Sequence, residues 1–373
     1  VRLSSIPTPR AFVDLTRLRN NITLMQSLAT KAGVRLRPHA KTHKSPVIAR
    51  WQIEAGAVGI CCAKVGEAEV FAKAGIADIR LPYPVHPSNA DRVIALQDRT
   101  RLSIIVDDLD VARAWSAAMT AAGRRLDVLV KVDVGFHRCG IDPDAPAAAD
   151  TVRRIADLPG LRFLGLLSHA GHGYTAPSAA DLESVAMREI EILMTLAGNV
   201  RRGGAEISEI SVGSTPTARF ITRQPGVTEM RPGNYVFFDR TQLGLDATTV
   251  DRTAMHVVST VVSRPAPTRV IFDAGAKTLA ADGCRGFSPS PGHGLVFPTL
   301  HGSAPDPSIV LERLSEEHAT ARVPADCPLR VGDRVRILPN HACVVTNLMD
   351  ELLLVEDDAI VDRLPVAARG RIW

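Results

Sequence analysis

Apolar and polar positions follow two rhythms along this chain. Ala11 to Leu15 alternates like a short strand. Asp14, or Thr16 just after it, is placed to cap a helix whose apolar stripe runs through Leu18, Ile22, Met25 and Leu28 to a stop at Gly33. Short apolar runs then recur at 34–38, 58–62, 79–82, 102–106, 126–132, 163–168, 207–212 and 228–236. Helical patterns lie between them, such as 65–74 with Gly75 as its stop and 109–122 with Gly123 in the same place. Strands that alternate with helices pair in parallel through right-handed crossovers, and eight such units predict an α/β fold, a closed (β/α)8 barrel. An open doubly wound sheet is the alternative, but no glycine fingerprint follows the first strand of the series.

After Leu245 the pattern changes. Residues 255–262, 269–272, 334–338 and 351–355 alternate as strands, separated by Pro, Gly and Asp, with no long helical stripe. Residues 16–244 are therefore expected to form the barrel and 245–373 a mainly β domain, with 1–15 a candidate to join the latter. Gly283, Gly286, Pro289, Pro291, Gly292 and Gly294 mark one long turn-rich loop, expected on the surface.

Composition narrows the function. Apolar residues make up 46% and charged residues 23% of 373, the balance of a globular protein, and the net charge of +4 comes without a basic stripe. Nucleic acid and membrane are excluded as partners on this basis, and a small molecule is expected. No run reaches bilayer length and the first residues lack a signal-peptide pattern, so the expected address is cytoplasmic. Cys61, Cys62, Cys139, Cys284, Cys327 and Cys343 have no framework spacing, and most are expected to be reduced and buried.

Charge gathers where the first strand of the series ends, in Arg37-Pro38-His39-Ala40-Lys41-Thr42-His43-Lys44. A solvated basic loop is the ordinary reading; the sharper one makes Lys41 a nucleophilic amine that forms a Schiff base. Chemistry in such barrels sits at the C-terminal ends of the strands. Asp133, His137 and Arg138 follow the fifth strand, and His169, His172 and Tyr174 follow the sixth. Gly213, Ser214 and Thr215 follow the seventh, and Arg231, Gly233 and Asn234 lie at the eighth. Small residues after strands seven and eight commonly hold a phosphate, because backbone N–H groups and hydroxyls approach its oxygens closely. A lysine and a phosphate site on one rim suit pyridoxal phosphate. In Pro339-Asn340-His341-Ala342-Cys343, an extended segment would turn His341 and Cys343 to one face, where they can share a metal and leave coordination positions open.

These residues resemble the fold-type III pyridoxal phosphate enzymes, the alanine racemase-like barrels. The branch is the one holding D-threonine aldolase, D-serine dehydratase and D-threo-3-hydroxyaspartate dehydratase. Arg37-Pro38-His39-Ala40-Lys41-Thr42 is similar to the cofactor-lysine motif, Gly213-Ser214-Thr215-Pro216-Thr217 to the phosphate turn, and the 339–343 stretch to the metal motif. The resemblance implies a homodimer with Lys41 carrying the cofactor and Arg138 facing its phenolic oxygen. It places His169, Tyr174, Ser214, Thr215, Gly233 and Asn234 around ring and phosphate, and gives His341 and Cys343 a divalent cation, manganese, zinc or magnesium. No counterpart of the β-domain tyrosine of alanine racemases is found, which argues against racemisation.

The implied activity is retro-aldol cleavage of a D-3-hydroxy amino acid to glycine and an aldehyde, with His172 as the candidate base for the β-hydroxyl. Dehydration to a keto acid and ammonia is the alternative, and a non-catalytic cofactor carrier the third. Arg37, His39, Arg240 and His318 are candidate contacts for a substrate carboxylate.

Overall fold

In a computed structural model covering the chain, residues 1–221 and 225–373 are described. The first strand, β1 (Arg10–Asp14), runs into helix α1 (Leu15–Ala32), which Asp14 caps by accepting the Arg17 backbone N–H at 2.9 Å. The alternating series follows: β2 (Arg35–Leu36), α2 (Pro46–Glu54), β3 (Ile60–Cys61), α3 (Val65–Lys73), β4 (Asp78–Pro84), α4 (Ala90–Gln97) and β5 (Arg101–Val106). It continues through α5 (Leu109–Ala121), β6 (Leu126–Lys131), α6 (Ala148–Ala156), β7 (Leu161–Leu167), α7 (Ala179–Arg202), β8 (Glu209–Val212) and β9 (Glu229–Met230).

All eight expected strands are present, paired in parallel in the order β2-β9-β8-β7-β6-β5-β4-β3. The bridge His39↔Cys61 joins the two ends, with Cys61 N–H donating to the Pro38 carbonyl at 2.7 Å, so the sheet curls into the expected barrel. Several strands are shorter than expected, with β2, β3 and β9 reduced to two residues each. Pro232 has no N–H to continue the eighth ladder, and Asn234–Val236 turns into a 3-10 helix instead. Gly75 and Gly123, at φ +86° and +66°, end α3 and α5 in the left-handed region as expected.

Packing between the helices and the barrel supplies the core. Trp115 of α5 is 0% exposed and its indole N–H donates to the Val85 carbonyl at 2.8 Å, so truncation to Ala would cost about 3–5 kcal/mol. The barrel interior is polar at the strands' N-terminal ends. Arg80 donates to Glu229 at 2.5 Å and to Glu209 at 2.7 Å, and Arg37 donates to Glu229 at 2.8 Å and to Asp78 at 2.5 Å. Burial alone would push the Glu229 carboxyl up, but Arg80 and Arg37 overcome it and hold it down at about 2.

The remaining strands are β10 (Met255–Ala266), β11 (Arg269–Phe272), β12 (Gly294–Phe297), β13 (Val310–Leu314), β14 (Ala319–Arg322), β15 (Arg334–Pro339), β16 (Glu351–Glu356) and β17 (Ala359–Pro365). They form a second sheet in the order β13-β14-β11-β10-β1-β16-β17, with β15 on β10 and β12 on β15. Strand β1 lies in this sheet, antiparallel to β10 and parallel to β16. All six cysteines are unpaired, but only Cys61, Cys62 and Cys327 are buried, fewer than expected. Among the described residues no helix is long and apolar enough to cross a membrane.

Candidate active site

At the C-terminal end of the barrel, a cavity of about 290 Å3 is walled by barrel loops on one side and by the second sheet's loops on the other. The turn after β2 brings Lys41 to it, exposed, at the middle of the 3-10 turn Ala40–Thr42. Its neighbours are tied elsewhere. Lys44 is buried in an ion pair with Glu67 at 2.9 Å, and buried His43 bonds Gln52 at 3.2 Å, so the basic stretch is not a solvated loop. His39 lines the cavity; burial first, then Lys41 and Arg231, pushes its pKa well below 6.5 and keeps it neutral.

The loop after β6 is shaped by Asp133, whose carboxylate accepts the Gly135 and His137 backbone N–H groups, each at 3.0 Å. That turn sends Phe136 and Arg138 to the cavity, with the guanidinium 5.1 Å from the Phe136 ring centre. After β7, His169 meets the edge of Phe136 at 6.0 Å between ring centres, and Tyr174 also lines the wall. His169 is held neutral by burial, then by Lys131 and Lys41. His172 is not among the lining residues. Its ring stacks on Phe136, 6.5 Å between centres, and its buried Nδ1 has no partner among the described residues.

Beyond β8 the turn Gly213 (φ +95°), Ser214, Thr215 is closed by Thr217, whose hydroxyl accepts the Ser214 N–H at 3.0 Å. Thr215 Oγ1 accepts the Tyr235 N–H at 3.2 Å, which ties this turn to the one after β9. Gly233 and Asn234 stand beside it on the cavity wall. The buried Asn234 Oδ1 has no partner among the described residues, while its Nδ2 donates to Asp239 at 2.5 Å.

The second domain contributes His341 and Cys343, and the local structure differs from the extended segment expected. Strand β15 ends at Pro339, His341 is the N-cap of the helix Ala342–Leu348, and Cys343 sits in its first turn. Helix entry rather than strand alternation brings the two side chains together. Burial opposes both charges, yet each stabilises the other: Cys343 falls below the usual thiol range and His341 rises well above 6.5. Thr42 Oγ1 lies 3.2 Å from Cys343 Sγ, so the pair abuts the Lys41 turn directly. Among the described residues no third His, Cys, Asp or Glu completes a metal cluster.

Chain similarity agrees with this geometry. Residues 13–241 match the family described as alanine racemase, N-terminal domain, and residues 254–355 a family described as a serine dehydratase domain. The chain belongs to the fold-type III pyridoxal phosphate enzymes. Among its relatives in that family, a D-threonine aldolase of Arthrobacter sp is 34% identical, covering 99% of this chain and 94% of the relative. A D-threo-3-hydroxyaspartate dehydratase of Delftia sp. (strain HT23) is 36% identical over 91% and 92%. The solved D-threonine aldolase from Filomicrobium marinum superposes with a TM-score of 0.89 at 31% identity, covering 100% of this chain and 98% of that one.

For a fold-type III enzyme several wall residues lacked an expected role. Lys131 ends β6, is buried on the cavity wall, and is lowered to about 8 by burial and by Arg231. Arg231 follows β9, donates to Ser211 Oγ at 2.5 Å and reaches the Ser168 carbonyl. Fully buried Asp239 joins the domains: it accepts from Asn234 and, at 2.9 Å, from the Ala342 N–H, and lies 3.5 Å from His341 Nδ1. A lone Lys closing an apolar strand and an Arg just past one were the available signals. Of the candidate carboxylate contacts only His39 reaches the cavity. Arg37 belongs to the ion network at the other end of the barrel, buried Arg240 binds loop carbonyls, and His318 is exposed in the β13–β14 hairpin.

Proposed function

We propose that this chain is a pyridoxal phosphate- and divalent metal-dependent lyase that cleaves D-3-hydroxy amino acids by a retro-aldol reaction to glycine and an aldehyde. The observation that carries this reading is that the barrel lysine and the His341/Cys343 pair open on one cavity, in contact through Thr42.

The wall fits both groups. Five cations, Lys41, Lys131, Arg138, Arg231 and Arg285, face the cavity against one carboxylate, Asp282, which suits a doubly charged phosphate and a substrate carboxylate. The unpartnered Asn234 Oδ1 and the Ser214 and Thr215 hydroxyls stand where the cofactor's polar edge would lie. Imidazole beside a thiol that ionises readily is a donor set for a divalent ion, zinc by softness, with manganese or magnesium served by the open positions. When bound, pyridoxal phosphate supplies an electron sink for the bond broken at Cα. A divalent ion supplies Lewis acidity toward a hydroxyl.

The chain's own residues do the rest. Lys41 would hold the cofactor covalently. Ser214, Thr215, Gly233 and Asn234 would hold its phosphate, and Arg138, His169 and Tyr174 would surround its ring. His341 and Cys343 would bind the metal. The neutral imidazole on the wall is His169, which can accept a proton there; for His172 to do so, its ring must leave the Phe136 stack. Homodimer assembly is part of the proposal, and sedimentation would test it.

Lys131 favours a second reading. An amine lowered to about 8 on the wall of the cavity that Lys41 also lines can take a proton from Cα, as dehydration requires. Supplying D-threonine and D-serine separately, with pyridoxal phosphate and a divalent metal, separates the two. Glycine with acetaldehyde supports the aldolase, whereas 2-oxobutyrate or pyruvate with ammonia sinks it in favour of the dehydratase. Chelation should abolish turnover and manganese or zinc should restore it; bound-cofactor absorbance with no metal-dependent turnover would leave only a cofactor carrier.

A further inference from the structure

The outer wall of the cavity comes from the loop at 280–293, through Asp282, Gly283 and Arg285. It contains no helix or strand, yet its backbone is gripped from beneath. The buried Arg240 guanidinium donates to the carbonyls of Pro291, Gly292 and Gly294 at 3.0, 3.1 and 3.3 Å. Buried Asn340 donates to the Asp282 and Gly292 carbonyls at 2.9 and 3.0 Å, and accepts from Arg240 at 3.2 Å. At the other root, the Arg285 N–H donates to Thr241 Oγ1 at 3.4 Å and the Phe287 N–H to the Gly244 carbonyl at 2.8 Å. Gly286 lies so close that a Cβ would sit 2.5 Å from the Gly244 oxygen. Backbone held at so many points presents its side chains in a reproducible place.

What it presents is a free cation. Arg285 is exposed, and among the described residues its guanidinium makes no hydrogen bond or ion pair, unlike Arg231 deeper in the cavity. The backbone partner of Arg285, Thr241 Oγ1, donates to the Asn340 carbonyl at 2.9 Å, one residue before His341. Arg285 therefore stands on the His341/Cys343 side of the cavity, the side where a β-hydroxyl would be held.

We propose that Arg285 is a specificity-determining residue that pairs with an anionic β-substituent, so that the substrate is a D-3-hydroxy amino acid carrying a second carboxylate. This rests on the lyase reading of the same cavity. A planar guanidinium with parallel N–H donors matches a carboxylate bidentately and has nothing to offer a methyl group. Lys131, Arg138 and Arg231 already line the cavity and would serve the cofactor and the α-carboxylate, which leaves Arg285 surplus unless the substrate carries another anion. Asp282 on the same loop acts in the opposite sense: it repels such a group and sharpens the requirement for Arg285.

The test compares D-3-hydroxyaspartate with D-threonine by substrate loss, so that its outcome does not depend on whether cleavage or dehydration follows. The wild type should favour the dicarboxylic substrate in kcat/KM. In Arg285→Ala that selectivity ratio should fall about 10- to 100-fold, mainly through KM, with partial recovery in Arg285→Lys and a rise in Asp282→Asn. Equal losses on both substrates, or a wild type that favours D-threonine, would overturn the proposal. A binding arm is independent of turnover: malate and 3-hydroxybutyrate are the two substrates without their amine. Malate should stabilise the wild-type holoenzyme to heat at lower concentration than 3-hydroxybutyrate does, and Arg285→Ala should erase that difference. If neither amino acid is consumed, the lyase reading fails while this arm still decides on Arg285, and equal stabilisation by both acids would end the idea.

Discussion

The two ends of the barrel hold comparable numbers of charged side chains and treat them in opposite ways. At the N-terminal end Arg37 and Arg80 are each clamped between two carboxylates, with Glu229 shared and 0% exposed. At the C-terminal end five cations face one carboxylate across the cavity. Removing charges from water is costly, and only close pairing offsets it, as at the first end. An end that leaves cations uncompensated spends stability on a ligand that is itself anionic. The difference teaches where to look: the charge that serves the fold is paired, and the charge that serves chemistry is not.

Four measurements would break or sharpen this contrast. The largest effect belongs to Lys41. Lys41→Ala should lower turnover by at least about 10³-fold and abolish the visible absorbance of covalently held cofactor, without lowering the thermal midpoint of the cofactor-free protein. A cofactor spectrum that survived would place the attachment elsewhere. Next is Glu229→Ala, which strands Arg37 and Arg80 without their shared partner and should cost about 3–5 kcal/mol in denaturant unfolding.

The same carboxylate sets an acid limit. Its pKa is depressed from 4.5 to about 2 in the folded protein, so its stabilisation is fully present above pH 4.5 and is lost as pH falls from there towards 2. Glu229→Gln should flatten that slope.

The smallest effect is at Lys131. Its folded pKa of about 8 lies below the ordinary 10.5, so between those values the unfolded chain binds more protons and stability rises with pH, on the order of 1–3 kcal/mol. Saturating cofactor should reduce this slope by returning an anion to the cavity, and Lys131→Met should remove it. A slope that cofactor leaves unchanged would mean that the cation surplus has no bearing on anion binding.

Much of this was legible before any coordinates. The eight apolar runs match the eight strands because a parallel strand buried on both faces must be apolar almost throughout. Gly213, Ser214, Thr215, Gly233 and Asn234 could be placed on the cavity rim because they lie within a few positions of a strand end, where chain order and spatial order coincide. His341 and Cys343 were found for a partly mistaken reason: strand alternation was assumed, whereas the helix that begins at Ala342 brings them together. His172 was less legible. Whether an imidazole faces the cavity or a neighbouring ring depends on Phe136, 36 positions earlier in a different loop, and no local pattern encodes that.

Sequence by itself determined the barrel, the β-domain and the place of Lys41 just past the first barrel strand, because periodicity, turn chemistry and short motifs are local properties of the chain. Only the tertiary structure decided which charges are paired. Arg37 and Lys41 lie four residues apart in one basic stretch, yet one is locked to Glu229 and the other opens on the cavity. Thr42 meets Cys343 across 301 positions, and the loop bearing Arg285 is held by Arg240 and Asn340 from different elements. Electrostatic energy depends on distance through space, and distance through space between remote residues exists only once the chain has folded.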